Sequence, residues 1–395
     1  MTSQSRTPKY LIGIMSGTSC DAIDVAVVHA GNHQLVHFSE YPMPAELRES
    51  CLRLAAPGLN EIDALGNLDR ALGMAFAASA LSMLQENHIS KQDILMIANH
   101  GQTIRHRPNG IAGGHPFTLQ LGCAASLAEL TGITVVSDFR SRDIAAGGEG
   151  APLVPFAHQQ LFSKHNGATA ILNIGGIANI TMLYDDGSTQ GFDTGPGNML
   201  MDALALQLSD GRYGYDKDGG LAATGTVCQA LLKALLSHRF IKQQPPKSTG
   251  RETFGEAVLD RILAWPALSD ADRMATTCMF TVQSIVEQIS FLKEVPKHWL
   301  ICGGGAFNSH LMQSLALALA PAKVCTSLQY GIPAEAVEAI SFALLGKQTL
   351  LGKHNTLNEV TGARHPVCAG QITPGNNWRQ VTQWVYDTIS SCDNT

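Results

Sequence analysis

The 395-residue chain contains no run of Lys or Arg and no polybasic arm, and its 27 basic residues are outnumbered by 33 acidic ones. Nucleic-acid binding needs clustered cations that release phosphate counterions, so a formal net charge of −6 argues against that partner. Long apolar runs are missing too. The opening MTSQSRTPKY is polar, and the LIGIM after it gives way at once to SGTSCD. That is neither a signal h-region nor a membrane span, so no membrane partner is expected. The nine Cys are scattered between Cys20 and Cys392 with no C-x-x-C pair. An odd number without a framework points to reduced thiols and a cytoplasmic location. Cys302 and Cys325 read as small core residues. G-x-S-x-G is absent, which leaves a Ser–His–Asp hydrolase without support. His100, His106 and His115 fit no standard zinc spacing and have no Cys nearby.

What is present is a chain that is 45% hydrophobic and 15% charged, the composition of a globular protein long enough for two domains. Gly is frequent, at 38 residues, and clusters at the ends of apolar runs, as where strands feed tight turns. Strands are expected at Tyr10–Met15, Ile23–His29, Ile94–Ala98, Ile133–Val136, Ala170–Ile174, Ile180–Tyr184 and Trp299–Cys302. Leu68, Leu72, Phe76, Ala80 and Leu84 recur every four positions and predict an amphipathic helix. A second helix is expected to start at Pro333 and run through AEAVEAISFALLG. The fold class is α/β with mixed sheets. The stretches around Gly13 and Gly175, roughly 160 residues apart, each read as strand, Gly-rich turn, strand, which suggests a duplicated nucleotide-binding domain. The break falls between Gly147 and Asn166, giving domains 1–150 and 151–395, with the C-terminal tail able to pack back on the first.

Four Gly-rich stretches can carry chemistry. In GIMSGTSCDAID (13–24), Gly17 permits a sharp turn and Ser16, Thr18 and Ser19 offer hydroxyls. Backbone N–H groups around such a turn can converge on an anion, though an ordinary Ser/Gly hairpin is the commoner meaning. Asp21 suits an outer ligand of a divalent cation that travels with phosphates. NIGGIANIT (173–181) holds the Gly175–Gly176 turn, and LICGGGAFNSHLM (300–312) places Gly303, Gly304 and Gly305 between a strand and a helix that Asn308 can start. GFDTGPGNML (191–200) sets Asp193 before a turn with Gly195 and Gly197. Asp193 is either a hydrogen-bonded cap or a base, and Asn198 and Asp202 suit helix caps. Several Gly turns at strand ends can line one cleft, so their joint occurrence says more than any one alone. In SDFRSRDIAAGGEGAPL (137–153), Arg140 can fork onto a carboxylate or phosphate, or be locked by Asp138 or Asp143. GYDKDGGLAATG (214–225) and PPKSTGRETF (245–254) read as loops.

Taken in order with NHGQTIRHRP (99–108) and VEAISFA (337–343), these blocks resemble the anhydro-N-acetylmuramic acid kinases over nearly the whole chain. The resemblance implies two duplicated actin-like (ribonuclease H-like) ATPase domains with an active-site cleft between them. It implies ATP and Mg²⁺, a small sugar substrate from cell-wall recycling, and a cytoplasmic homodimer. The activity it implies is hydrolytic opening of the 1,6-anhydro ring with phosphorylation of O6. Asp193 is then the base. The hairpin Gly17, Thr18, Ser19, Cys20, Asp21, Ala22, Ile23 and Asp24 takes ATP phosphates, with Asp21 near Mg²⁺ through water. Gly175, Gly176, Gly195, Gly197, Gly303, Gly304 and Gly305 are nucleotide-side positions, and Arg140 and Glu338 face the sugar. Two residues depart from the pattern: Ala22 where Gly is expected, tolerable only at negative φ, and Glu149 where Gln is expected. The alternatives are a kinase for another anhydrosugar such as levoglucosan, or a nucleotide-switched actin/Hsp70-like binding protein. The latter would lack a sugar pocket and carry a partner-binding extension after CDNT.

Overall fold

The computed structural model describes residues 8–17, 19–111, 113–162 and 167–392. It divides into two compact units, Met1–Leu161 with Ala336–Thr395, and Phe162–Glu335. The described residues include twelve strands: β1 (Tyr10–Ser16), β2 (Ala22–His29), β3 (Leu35–Pro42), β4 (Ile94–Arg107), β5 (Phe117–Leu121), β6 (Val135–Ser137), β7 (Thr169–Ile174), β8 (Ile177–Leu183), β9 (Thr189–Pro196), β10 (His298–Cys302), β11 (Lys323–Thr326) and β12 (Gln371–Thr373).

In the first unit, β1, β2 and β3 form an antiparallel meander, β4 runs parallel to β1, and β6 runs parallel to β4. β5 pairs with β4, and β12 closes the far edge on β6. The second unit repeats the plan: β7, β8 and β9 are an antiparallel meander, β10 is parallel to β7, and β11 is parallel to β10. The strand order 3-2-1-4-6 in one sheet and 9-8-7-10-11 in the other is a single topology used twice. The duplicated α/β architecture is therefore a property of the fold, although little sequence identity marks it.

Central strands explain why the apolar runs were easy to find. β7 is buried along its whole length, as expected for a strand flanked by parallel and antiparallel neighbours and covered on both faces. Fully burying each such Ile or Leu contributes about 1.5–3 kcal/mol. The four-residue stripe from Leu68 to Leu84 lies on the helix Glu61–Glu86, and all five of its members are buried. β9 was not among the expected strands, because Gly191, Asp193, Gly195 and Pro196 are poor strand formers. It is the edge of its sheet, where Pro is tolerated.

Two boundaries differ from the sequence reading. The units part at Leu161/Phe162, inside the helix Val154–Phe162, and not at 150/151. Residues 163–166, including Asn166, lie outside the described residues. The segment Ala336–Thr395, placed by sequence in the second domain, belongs to the first unit. Its helix runs over Ala336–Leu350, three residues later than Pro333, since the Ala334 carbonyl accepts from Gly303 N–H. The reason it joins the first unit is close packing on β1. A Cβ at Gly13 would lie 1.8 Å from the Ala339 carbonyl oxygen, and one at Gly346 would lie 2.8 Å from Ala98 Cβ on β4. Only glycines at both positions let helix and sheet approach this far. Gly13→Ala should therefore destabilise the protein by about 3 kcal/mol, the upper range for overpacking, read as a lowered denaturant midpoint with unchanged slope.

Candidate active site

In the second unit, three of the Gly-rich stretches come together. The end of β9 is laced to the β7–β8 turn: Gly197 N–H donates to Gly176 O (2.9 Å), Asn198 N–H to Gly175 O (2.8 Å) and Met199 N–H to Gly176 O (3.2 Å). A Cβ at Gly197 would lie 2.3 Å from Gly175 O. The turn after β10 closes on the same place. Gly303 has φ +78, and a Cβ there would meet Asn173 Oδ1 at 2.4 Å, while one at Gly305 would meet Ile174 Cγ2 at 2.4 Å. Asn198 Nδ2 donates to Ile174 O (3.3 Å) and lies 3.7 Å from the Cβ position of Gly304, which is exposed. The DKDG turn joins them, since a Cβ at Gly219 would lie 2.4 Å from Asn308 Oδ1. That same oxygen accepts Leu311 N–H and caps the helix Ser309–Ala318.

This geometry corrects part of the sequence reading. The N–H groups of Gly197 and Gly303 are engaged within the fold, Gly197 with Gly176 O and Gly303 with Ala334 O at 3.0 Å. Those glycines serve backbone-to-backbone packing. Asn198 precedes a helix without capping it through its side chain, which is tied to the end of β7.

Asp193 is not a helix cap either. It lies within β9 opposite Asn179, half-buried, beside a register shift that leaves Thr194 as an extra residue. Such a bulge re-aims the neighbouring side chain. Thr249 N–H donates to Asp193 Oδ2 at 2.8 Å, and Asp193 N–H donates to Lys247 O at 3.1 Å. The segment 247–249 thus covers the edge of β9 and holds one carboxylate oxygen. Lys247 itself is 1% exposed. Burial pulls its ammonium down to about 8, opposed by the Asp193 charge.

The first unit carries the other residues. Cys20 N–H donates to Gly17 O (3.1 Å), and Cys20 takes the left-handed conformation, φ +55. Ser19 Oγ donates to Asp21 Oδ1, and Asp21 is exposed. Thr18 lies outside the described residues. Ala22 begins β2 and is not among the positive-φ residues, so its methyl group is accommodated. The hairpin is held from β4 by the buried Gln102, which accepts from Ser16 Oγ (2.7 Å) and donates to Gly17 O (3.1 Å). β4 shifts register against β1 between Ile14 and Ser16, where Gly101 has φ +77. Beside it, His100 Nδ1 contacts Gly101 O (2.7 Å), and its Nε2 accepts from Arg140 Nε (3.0 Å). Arg140 also donates to Gly150 O (2.7 Å). Burial, then the Arg140 charge, holds His100 well below its usual range, so it is the neutral acceptor this arrangement requires. His100 and Asp138 line a cavity of ≈ 200 Å³ with Asp69, Asn99 and Gln120.

Asp143, considered as a lock for Arg140, accepts from Gly150 N–H and Thr361 Oγ1, both at 2.8 Å, and burial raises its pKa. Asp138 accepts from Ser141 N–H and Gln371 Nε2. Glu149 N–H donates to Thr361 O, and Glu338 sits half-buried in the first turn of its helix.

Comparison with known proteins decides what this arrangement belongs to. The family model described as anhydro-N-acetylmuramic acid kinase matches residues 9–375. An anhydro-N-acetylmuramic acid kinase of Pasteurella multocida (strain Pm70) is 43% identical over 92% of this chain and 97% of its own length. Those of Shewanella sp. (strain MR-7) and Pseudomonas paraeruginosa are 45% and 42% identical, covering 92% and 93% of this chain and 98% and 99% of theirs. The chain belongs to the anhydro-N-acetylmuramic acid kinase family. Among solved structures, a ROK family glucokinase from Streptomyces griseus aligns over 85% of this chain and 98% of its own, at a TM-score of 0.40 and 11% identity, too weak a likeness to carry weight.

For a member of this kinase family, sequence reasoning singled out the Gly turns and Asp193 but missed the groups that hold them. Gln102 lay unremarked in NHGQTIRHRP, Lys247 lay in a stretch read as a loop, and His100 was weighed only as a zinc ligand. A signal existed only in hindsight, in polar side chains next to apolar runs.

Buried neutral histidines make stability fall in acid. His106, pulled down to about 4 first by burial and then by Arg140, stays neutral in the folded state while the unfolded chain protonates near 6.5. The unfolded state then binds more protons between about pH 6.5 and 4, so stability drops through that window. His106→Gln should flatten the pH dependence of the denaturant midpoint there by on the order of 2 kcal/mol, allowing for partial solvent screening.

Proposed function

We propose that this chain is an ATP-dependent anhydro-N-acetylmuramic acid kinase in which Asp193 activates water. The observation carrying the reading is the placement of Asp193: one oriented carboxylate on β9, beside a bulge, four residues before the backbone that is laced to the Gly175–Gly176 turn. The family supports kinase chemistry, and the chemistry of the sugar then specifies the base's task. In a 1,6-anhydro ring the bridging O6 has no proton, so a base acting on a hydroxyl would have nothing to remove. Asp193 takes a proton from water instead. The water oxygen bonds to C1, the C1–O6 bond breaks, and O6 attacks the γ-phosphorus as the β–γ bridge breaks and ADP leaves. The product is N-acetylmuramic acid 6-phosphate.

The nucleotide side is read as the exposed Gly304 with the Gly175–Gly176 and Gly195 backbone, and the phosphate hairpin as Gly17–Asp24. Among the described residues no group of three or more His, Cys, Asp or Glu is placed to hold a metal. That suits Mg²⁺ carried by phosphates, which needs one or two carboxylates and water, and the exposed Asp21 is the residue for it. When bound, the ion would neutralise phosphate charge. Arg140 is assigned to the lactyl carboxylate, because His100 fixes its guanidinium and also lines the polar cavity. Glu338 is kept as a second sugar-side group. Cytoplasmic location follows from the same reading, and the eight Cys from Cys20 to Cys368 are free thiols. The homodimer rests on the family resemblance.

Asp193→Asn should lower turnover by at least about 10³-fold while nucleotide binding by calorimetry persists, the pattern for loss of an essential base; phosphorylation at near-normal rate would sink the assignment. Run in ¹⁸O-water, the reaction should place label at C1 of the sugar product. Label in phosphate would mean simple ATP hydrolysis. An ADP-release assay across anhydro-N-acetylmuramic acid, levoglucosan and N-acetylmuramic acid separates the anhydrosugar alternatives.

A further inference from the structure

PPKSTGRETF read as a loop, yet it contains the most deeply buried cation among the described residues of the second unit. Lys247 Nζ donates to Phe240 O at 3.1 Å and to Gln288 Oε1 at 2.7 Å. Gln288 is fully buried, and its amide is oriented by its own donations to Ser284 O (2.8 Å) and Ile241 O (3.4 Å). Around the ammonium stand the rings of Phe240, Phe291 and Phe192, with centroids 4.8, 5.2 and 5.7 Å away. Neutral acceptors and ring faces stabilise a buried ammonium only in part, so keeping it there calls for a countercharge.

Phe192 lies beneath the ammonium, and the next residue, Asp193, is tied to the Lys247 backbone through its N–H and carries the negative charge that opposes the effect of burial on Lys247. Lys242 pairs with Glu287 at the surface, Lys293 with Asp186, and His238 stacks on Phe254. The backbone of Lys247 accepts from Asp193 N–H, and two residues on, Thr249 N–H donates to Asp193 Oδ2.

We propose that Lys247 is a positioning residue for the base. Anchored in the Phe192–Phe240–Phe291 cage, it holds the Thr249 N–H against the Asp193 carboxylate and keeps a positive charge beside it. This rests on reading Asp193 as the base. A lysine here does what a surface loop cannot: it ties the orientation and the charge state of the carboxylate to one buried side chain.

The test compares wild type, Lys247→Met and Asp193→Asn as full-length proteins. Met nearly conserves volume while removing the charge and the donors. Thermal melting and a nucleotide-induced rise in Tm establish that each variant is folded. Lys247→Met should lose kcat by about tenfold or more with both KM values within about twofold, because the carboxylate is misplaced and not the substrates. The acid limb of its kcat–pH profile should move to higher pH by about half a unit or more, as the carboxylate loses its cationic neighbour. An unchanged kcat and acid limb would overturn the proposal, as would a loss shared equally by KM and kcat. If Lys247→Met fails to fold, Gln288→Glu gives the reading. It keeps an acceptor for Nζ and moves the countercharge away from Asp193, so the acid limb must again rise, and a static limb overturns the proposal. Asp193→Asn separates the two layers. Retained turnover there removes the base reading itself, whereas an inactive Asp193→Asn beside a wild-type-like Lys247→Met removes only the role of Lys247.

Discussion

Backbone meeting backbone without an intervening side chain is the contact on which the rest depends. Gly175 O occupies the space where a Cβ of residue 197 would stand, and the Ile174 carbonyl oxygen lies 2.8 Å from where one of residue 303 would be. Because the ends of β7, β9 and β10 approach this closely, their turns form one surface and not three separate loops. The same device works in the first unit, where Gly13 lets the helix Ala336–Leu350 sit on β1. A single methyl group at any of these sites would force strands or helix apart, and close-packed interiors do not absorb that freely.

On that frame, both units aim a polar group with a local irregularity. In β9 the extra residue Thr194 re-aims Asp193, and in β4 the shift at Gly101 turns His100 onto Arg140. Each is then held by partners from outside its own strand: Thr249 and Lys247 for Asp193, Gly150 and Arg140 around His100. Electrostatics follow from burial. His100 stays neutral because it is enclosed beside a guanidinium, and burial pulls Lys247 down to about 8 against the opposing charge of Asp193.

Much of this was legible in the chain. Apolar runs with Gly at their ends marked β1, β2, β7, β8 and β10, and a four-residue stripe marked the helix Glu61–Glu86. β9 was hidden by Gly and Pro, residues that deter strands in general but not at a sheet edge. The duplication showed only as a faint echo, since topology repeats while side chains diverge. Among site residues, Asp193 and the Gly turns stood out because their types are unusual in apolar surroundings. Lys247 and Gln102 did not, because nothing local distinguishes a buried polar residue from an exposed one, and His100 drew notice only as a candidate zinc ligand.

By itself the sequence determined the α/β class, the family and the residue types able to do the chemistry, because periodicity, Gly placement and ordered motifs are written along the chain. Only the tertiary structure decided that Gly197 and Gly303 are packing glycines with engaged N–H groups, that residues 336–395 join the first unit, and that Asp193 answers to Lys247 and Thr249. Those facts depend on contacts between segments from about 20 to more than 300 residues apart, and pairing at such distances is set by close approach and burial, not by local propensity.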